Sequence, residues 1–393
     1  MRRIDDRERR ARLARRHHLL PEAQGRDPVR VADELVGIHA TEPTSPYAGL
    51  AARTGGIPQA DIATAMFDER SLIRIIGMRR TLFVVPLELA GVLTAACGRA
   101  IAAAERKRAE RMLFDAGITK RPGPWLRAVE AEAMAALEAA GEATATELTK
   151  VVPGFRKRIA FGAGKKWAGE VGVSTRVLFL MSMDGRIVRA QPRGTWVSGQ
   201  YRWAPLERWI GGSLADLSEA AARSELLRRW LRAFGPGTLT DLRWWTGWGL
   251  GEVRKALESV ETAEVELEDG GRGLVLGDDV DAEPAATPWA ALLPTLDTTV
   301  MGWFERDWYL GPHRKALFDR AGNAGPSVWW DGRIVGGWGQ NRDNGVVVRL
   351  LEDVGADAKR AIEAERKRLD AWVGGIRVTP RFRTPLETEL SAE

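Results

Sequence analysis

The sequence contains very little cysteine, histidine or tyrosine. Its 393 residues include one cysteine (Cys97), four histidines and three tyrosines. A single cysteine excludes an intramolecular disulfide framework and a metal site built from a cysteine cluster. No uncharged apolar run approaches the ~18 residues of a membrane span, and the charged residues 1–7 lack the apolar stretch of a secretory signal. We therefore expect a cytoplasmic protein with no membrane partner and no metal or other cofactor.

The overall charge is mildly basic, and the hydrophobic content is that of a folded protein. Lys and Arg number 58 against 53 for Asp and Glu, which gives a formal net charge of +5. The hydrophobic fraction of 45% argues against disorder. Many of the sixteen tryptophans lie from residue 196 onward, so we expect aromatic-rich packing in the C-terminal half. The charge permits a polyanionic partner without identifying one, because mildly basic soluble proteins are common.

The first 122 residues predict helices followed by a β-hairpin. Helical periodicity indicates helices at residues 5–20, 27–37 and 59–69. Two β-rich runs, 71–76 and 78–85, are parted by Gly77 and are typical of a hairpin. Between the second and third helices, Pro43 and Pro46 oppose helix formation. Three helices and a hairpin are the elements of a winged helix.

The same order of elements recurs twice further along the chain. In residues 123–212, Thr144 and Glu147 have the spacing of a capping box at the start of the second of three helices. Residues 213–280 repeat the pattern and end in another predicted hairpin. An acidic, proline-containing linker then leads into 281–393, where we expect strands up to residue 380 and one helix near 357–372. The sequence thus predicts an α+β protein: three tandem winged helix-turn-helix modules (1–122, 123–212, 213–280) and a β-barrel-like or curled-sheet domain (281–393).

Basic side chains in these modules are candidates for contacts with DNA phosphates. Such contacts supply affinity without sequence information. Arg74, Arg79 and Arg80 lie on the first predicted hairpin. A second set contains no acidic residue over eleven positions, and its members are Arg156, Lys157, Arg158, Lys165 and Lys166. Any one of these charges, taken singly, is more often a solvated surface group.

The most distinctive local feature is the segment His39-Ala40-Thr41-Glu42. Residues two apart in an extended segment point to the same side, so an imidazole and a hydroxyl are expected side by side. A neutral imidazole can accept a proton from water near pH 7, and a hydroxyl can hold that water. From spacing alone, a histidine that terminates a helix is the better interpretation. The other isolated histidine, His313, is at least as often an ordinary surface residue.

Six blocks of sequence, in one order along the chain, resemble a known family. They are 35–41 (LVGIHAT), 78–81 (MRRT), 244–247 (WWTG), 293–297 (LPTLD), 306–311 (RDWYLG) and 330–337 (WDGRIVGG). Together they resemble the AlkZ/YcaQ-type winged-helix DNA glycosylase family over nearly the whole chain. The resemblance implies a C-shaped clamp around duplex DNA and removal of alkylated purines, notably N7-alkylguanines. Some members of the family also unhook interstrand crosslinks. The resemblance leaves open whether such an enzyme serves housekeeping repair or self-resistance in an antibiotic producer.

The resemblance also implies roles for individual residues. The family has a Gln-aliphatic-Gln or Gln-aliphatic-Asp catalytic pair where this chain has His39-Ala40-Thr41. We expect His39 to orient or deprotonate the attacking water, Thr41 to hold it, and Glu42 to supply negative charge or fix the imidazole. Arg79 is expected to touch phosphate near the lesion, with weaker DNA contacts from His313 and Arg314.

These roles require that residue 39 lies at the centre of an open, positively charged cleft. The expected partner is damaged or alkylated duplex DNA, bound by a monomer. The alternative is a non-catalytic DNA-binding regulator or lesion sensor. A protein-interaction scaffold is a third interpretation, and it predicts no salt-dependent DNA affinity.

Overall fold

The computed structural model describes residues 1–161 and 168–393, which form an α+β fold. Asp5 and Asp27 begin two N-terminal helices, because their carboxylates accept the backbone N–H of Glu8 and Val29. The elements up to residue 115 are β1 (Arg2–Ile4), α1 (Asp6–Arg16), α2 (Pro28–Glu34), β2 (Ile38–His39), α3 (Ser45–Ala51), α4 (Gln59–Ala63), β3 (Leu72–Ile76), β4 (Leu82–Pro86), α5 (Leu87–Leu93) and α6 (Arg99–Asp115).

Strands β2, β4 and β3 pair in that order into an antiparallel sheet, which we call the first sheet. The predicted hairpin is confirmed, since β3 pairs with β4 along its whole length. Across the three strands, Ile38 is aligned with Val84 and Arg74, whereas His39 is aligned with Phe83. Aligned residues share a face and consecutive residues alternate. His39 and Arg74 therefore lie on opposite faces of the first sheet.

Two helix ends and one whole helix in this region differ from the sequence prediction. Helix α1 ends at Arg16 rather than near residue 20. Helix α2 ends at Glu34 rather than near residue 37, because Val36 (φ 54°) and Gly37 (φ 97°) adopt the left-handed conformation. Helix α3 was not predicted, since Pro43 and Pro46 were expected to oppose it. Pro46 lies in the first turn of α3, where a missing backbone N–H costs nothing. The irregular segment expected before it is confirmed for residues 40–44 but is wrong from Ser45 onward.

One helical stretch among the described residues is long and apolar enough, by length and composition, to cross a membrane. It runs over Leu87–Asp115 and joins α5 to α6 through the π-helical turn Thr94–Gly98. Of its most apolar window, 56% is buried inside the protein. The core helix of a folded protein passes the same test.

A second sheet follows, with helices packed around it. Its strand order is β5-β9-β8, and the predicted capping box is confirmed by reciprocal hydrogen bonds between Thr144 and Glu147. A two-stranded hairpin, β6–β7, was not predicted. The elements are α7 (Pro122–Ala140), β5 (Ala143–Thr144), α8 (Ala145–Val151), β6 (Arg158–Phe161), β7 (Gly169–Gly172), α9 (Val173–Met183), β8 (Ile187–Pro192), β9 (Tyr201–Pro205) and α10 (Leu206–Ile210).

The third sheet contains a strand from the other end of the sequence. It is formed by β10 and β11, as the predicted hairpin required, and by β1, which lies parallel to β10. The N-terminal strand therefore belongs structurally with residues more than 250 positions away. The elements from residue 219 to 276 are α11 (Glu219–Phe234), α12 (Leu239–Thr246), α13 (Leu250–Leu257), β10 (Thr262–Leu267) and β11 (Arg272–Leu276).

The C-terminal strands form a four-stranded antiparallel sheet in sequence order. Within the described ranges no ladder joins its first and last strands, so barrel closure is not observed. Residues 376–380 form no strand, although one was expected there, and the chain continues into a further helix. The elements are β12 (Ala290–Leu293), α14 (Asp307–Leu310), α15 (Arg314–Leu317), β13 (Ser327–Trp330), β14 (Arg333–Gln340), β15 (Val346–Leu350), α16 (Gly355–Val373) and α17 (Pro385–Leu390).

One large hydrophobic core joins the first sheet to α11–α13 and to the C-terminal sheet, while the helices around the second sheet have their own core. Aromatic side chains fill the large core, as the tryptophan-rich composition predicted. Trp230 is stacked on Phe234 at 5.5 Å between ring centroids, and Trp303 packs edge-on against Phe234 at 5.2 Å. This shared core holds the first sheet against segments distant in sequence.

Candidate active site

The backbone of His39 is held at the end of β2 by a threonine from a distant loop. Thr298 Oγ1 accepts the backbone N–H of His39 at 3.0 Å and donates to the carbonyl oxygen of Gly37 at 3.2 Å. On the other side, the backbone N–H of Ala40 donates to the carbonyl of Leu82 in β4 at 2.7 Å. These three bonds fix the position from which the imidazole projects.

The imidazole of His39 is buried, with 3% of the residue exposed. Its ring lies 5.3 Å from the ring of Phe83, and its Nδ1 has no hydrogen-bond partner in the part of the chain that the structure describes. The expectation of an openly accessible imidazole is therefore wrong, because Phe83 and the surrounding core exclude water from the ring. An unpartnered polar atom in such a place is costly, and it leaves one ring nitrogen free for a ligand.

Burial, and to a smaller extent the positive charge of Arg79, lower the pKa of His39 to about 3. The imidazole is thus neutral at physiological pH. An acceptor with so low a pKa is a weak base, so removal of a proton from water at pH 7 is not supported. A neutral imidazole can still orient a water molecule by a hydrogen bond.

Thr41 lies close to the same strand end, but Glu42 is directed elsewhere. The hydroxyl of the partly exposed Thr41 accepts the backbone N–H of Leu82 at 3.3 Å. The carboxylate of Glu42 is buried and accepts the backbone N–H of Arg381 at 2.7 Å, and burial raises its pKa. The structure does not bring Glu42 to the imidazole, so the expected role in fixing His39 is wrong.

Among the predicted DNA-binding residues, Arg79 is the one whose charge lowers the pKa of His39. It occupies the hairpin connection between β3 and β4 with a left-handed φ of 52°. Its guanidinium carbon lies 3.9 Å from the ring centroid of Trp244 in α12. Arg306 approaches the same indole at 4.8 Å. Neither Trp244 nor Arg306 was singled out as a site residue from the sequence, although both lie within the blocks that carry the resemblance.

The loop that provides Thr298 is itself anchored by a buried ion pair. Asp297 binds Arg53 in a bidentate arrangement, with oxygen–nitrogen distances of 2.7 and 3.0 Å. Both side chains are essentially inaccessible to water, at 2% and 0% exposure. Thr299 Oγ1 accepts from Arg53 at 2.8 Å and is hydrogen-bonded to Nδ1 of His17 at 2.7 Å. The candidate site thus depends on a polar network that spacing alone did not indicate.

Arg74 and Arg80 do not point to the candidate site. Arg74 is buried on the opposite face of the first sheet, where it donates to the carbonyl of Pro43 and lies over the ring of Tyr201. Arg80 forms an ion pair with Glu105 in α6. Arg74 is therefore shielded from a DNA backbone in this structure, contrary to the expectation for an exposed hairpin.

The other predicted DNA contacts that the structure describes lie in separate parts of the chain. Arg156 and Lys157 are exposed before β6, and Arg158 is paired with Glu170 across the β6–β7 hairpin at 2.7 Å. Lys165 and Lys166 lie outside the described residues. His313 is hydrogen-bonded to Glu352 at 3.0 Å, and Arg314 lies over Phe318. The structure brings none of the described members of this set, which are Arg156, Lys157, Arg158, His313 and Arg314, to His39.

The fold is shared with a DNA glycosylase of known structure. The structure of the Streptomyces sahachiroi DNA glycosylase AlkZ superposes with a TM-score of 0.74 over 97% of this chain and 99% of that chain, at 22% sequence identity. Residues 32–372 match the family model described as DNA glycosylase AlkZ-like. The chain belongs to the AlkZ-like family of DNA glycosylases. No curated protein matches its sequence.

Proposed function

We propose that this chain removes alkylated purines, of the N7-alkylguanine type, from duplex DNA by hydrolysis of the N-glycosidic bond. The observation that carries the proposal is the neutral His39 imidazole with an unpartnered Nδ1, placed at the strand end that also carries Thr41. Membership of the AlkZ-like family supports the reaction class. Bulky adducts and interstrand crosslinks belong to the same proposed substrate group.

The chemistry suits a site without a strong acid or base. An N7-alkylated guanine carries a positive charge, so it leaves with the electron pair of the C1′–N9 bond and becomes neutral. Positive charge develops on the sugar, as in glycoside hydrolysis, and a water molecule adds to C1′. His39 and Thr41 orient this water, and its proton passes to bulk solvent after the new bond has formed. The products are the free base and an abasic site.

DNA binding must uncover the imidazole for this mechanism to operate, since only 3% of His39 is exposed. We propose that the four regions 1–122, 123–212, 213–280 and 281–393 act as winged helices and a β-rich domain in a C-shaped clamp. A monomer then encloses the duplex, and the DNA strand that carries the lesion displaces the side chains that cover residue 39.

The test is excision of N7-methylguanine from a duplex, measured as abasic product, with DNA affinity measured separately. We expect His39→Ala to reduce the rate by about 10²-fold or more and Thr41→Ala by less, with affinity unchanged. His39→Gln is the matched control, because an amide can hold water as the family's glutamine does. Full excision by both alanine variants at unchanged affinity excludes these residues from the mechanism.

A non-catalytic lesion sensor is the second candidate function. It is favoured by the replacement of both glutamines and by the hydrogen bond that holds Glu42 away from His39. Such a protein binds a panel of alkylated duplexes and releases no base from any of them. Abasic product from even one substrate, abolished by His39→Ala, rejects the sensor.

A further inference from the structure

Two arginines converge on one tryptophan beside the candidate site. The guanidinium carbons of Arg79 and Arg306 lie 3.9 and 4.8 Å from the ring centroid of Trp244. The three residues come from the β3–β4 connection, the start of α14 and α12. Phe304, which is half exposed, lies 6.0 Å from Trp244 and extends the aromatic surface. We call Arg79, Arg306 and Trp244 the arginine–tryptophan cluster.

Neither guanidinium in the cluster is neutralised by an acid. Within the described ranges, the side chain of Arg79 forms no hydrogen bond or ion pair, and its Nε is buried without a partner. Arg306 is buried, with 3% of the residue exposed, and its Nε also lacks a partner. Its single side-chain hydrogen bond is a long one of 3.4 Å to the carbonyl oxygen of Val300. Most buried arginines elsewhere in proteins are paired.

The nearest acids do not change this conclusion. Asp241 and Asp307 act on Arg306 at long range, but neither comes within ion-pair distance of it in the described structure. The carboxylate of Asp241 is already occupied, since it accepts the backbone N–H groups of Thr238, Phe304 and Glu305 at 2.8–3.0 Å. The cluster therefore carries two positive charges without a local counter-charge.

Stacking on an indole stabilises a guanidinium, but it does not satisfy its N–H donors. Burial, with the charge of Arg306 beside it, lowers the pKa of Arg79 to about 10, so Arg79 stays protonated at pH 7. Arginine side chains in general stay charged in proteins, so Arg306 is taken as a second cation. Two like charges that share one indole repel each other. An oxyanion bound between them removes the repulsion and accepts several N–H donors at once.

We propose that Arg79 and Arg306 together bind a single phosphate group of the DNA strand, with Trp244 as the platform that orients both guanidiniums. This inference rests on the proposed binding of duplex DNA. Arg79 lies in the β3–β4 connection, and Leu82 at the end of this connection is hydrogen-bonded through its backbone to Ala40 and Thr41. The bound phosphate therefore lies next to the candidate active site. Contacts of this kind fix the register of a protein on DNA, so the cluster positions the lesion strand relative to residue 39.

The experiment measures binding of a duplex containing one tetrahydrofuran abasic analogue, by fluorescence anisotropy over a series of salt concentrations. The variants are Arg79→Gln, Arg306→Gln and the double variant. The matched control is Arg228→Gln, which removes the same charge from an exposed arginine paired with Glu225 on α11. Because Arg306 is buried, Arg306→Lys is added as a variant that keeps the charge and tests folding.

The salt dependence distinguishes one shared phosphate from two separate ones. Loss of one phosphate contact lowers the slope of log affinity against log salt by about 0.9. If both arginines bind the same phosphate, the double variant loses about 0.9 in slope. Two separate phosphates give a loss of about 1.8. We expect the first result, with Arg306→Lys between the wild type and Arg306→Gln and with Arg228→Gln unchanged.

A scan of single neutral methylphosphonates along the duplex locates the contact. We expect one position near the lesion to weaken the wild type and to have no further effect on the double variant. Folded variants with unchanged slopes overturn the phosphate site alone. If the slope changes in the variants but the wild type releases no base from the N7-methylguanine duplex, the glycosylase proposal alone is overturned. Absence of salt-dependent DNA binding by the wild type overturns both proposals.

Discussion

The buried ion pair between Arg53 and Asp297 provides a quantitative prediction for stability. Asp297→Ala removes both carboxylate oxygens from Arg53, which is 0% exposed. Arg53 keeps its bonds to Gly49 and Thr299, but its charge is left in the core without a counter-charge. Breaking a buried pair by removing one partner costs about 3–5 kcal/mol. The loss also frees the loop that carries Thr298.

The expected change in melting temperature follows from the chain length. At about 2 cal/mol/K per residue, the unfolding entropy of this chain is about 0.8 kcal/mol/K, so Asp297→Ala lowers Tm by about 4–6 °C. Differential scanning calorimetry measures this shift. The matched control is Glu264→Ala, which breaks the exposed pair with Arg272. Exposed pairs contribute about 0–1 kcal/mol, so Tm then changes by about 1 °C or less.

A double variant separates the charge effect from simple loss of contacts. Arg53→Met combined with Asp297→Leu removes both charges and keeps apolar volume, and we expect it to recover much of the stability lost in Asp297→Ala. Equal Tm values for Asp297→Ala and the Glu264→Ala control would refute the reasoning. A double variant less stable than Asp297→Ala would show that the hydrogen bonds, rather than the unpaired charge, dominate.

Two further predictions concern His39. Its folded pKa of about 3 lies below the ordinary 6.5, so the unfolded chain binds the proton first and stability falls as pH drops from 6.5 toward 3. The buried His17, whose pKa is also lowered, adds to the total loss. Urea titration at pH 5 should therefore show a loss about 2 kcal/mol smaller in His39→Gln than in the wild type. Thr298→Val leaves the N–H of His39 and the carbonyl of Gly37 unpaired, which should cost about 2 kcal/mol and slow base excision at unchanged DNA affinity; unchanged excision would contradict the positioning role.

Local signals in the sequence predicted elements whose causes are also local. Asp27 was expected to begin a helix, and Thr144 with Glu147 to begin another, and both caps are observed. The β3–β4 hairpin was likewise predicted, because strand-forming runs close together in sequence pair with little loss of chain entropy. The α+β class and the six blocks that carry the family resemblance required no long-range information.

Predictions failed where neighbouring chain segments decided the outcome. Arg74 sits in an apolar strand and was expected on an exposed hairpin, but Tyr201 from β9 covers it. The parallel pairing of β1 with β10 has no signal in either strand. Residues 376–380 have strand-like composition, yet they form no ladder in the structure, because a strand requires a partner edge as well as propensity.

The sequence by itself placed His39 and Thr41 in a short extended segment after the second helix. Only the tertiary structure decided the chemistry available there. Phe83 and the core around the ring remove water from the imidazole and make it a weak base, and Thr298 holds its backbone across 259 residues of chain. Solvation and charge at a buried group depend on everything packed around it, and no local pattern records those neighbours.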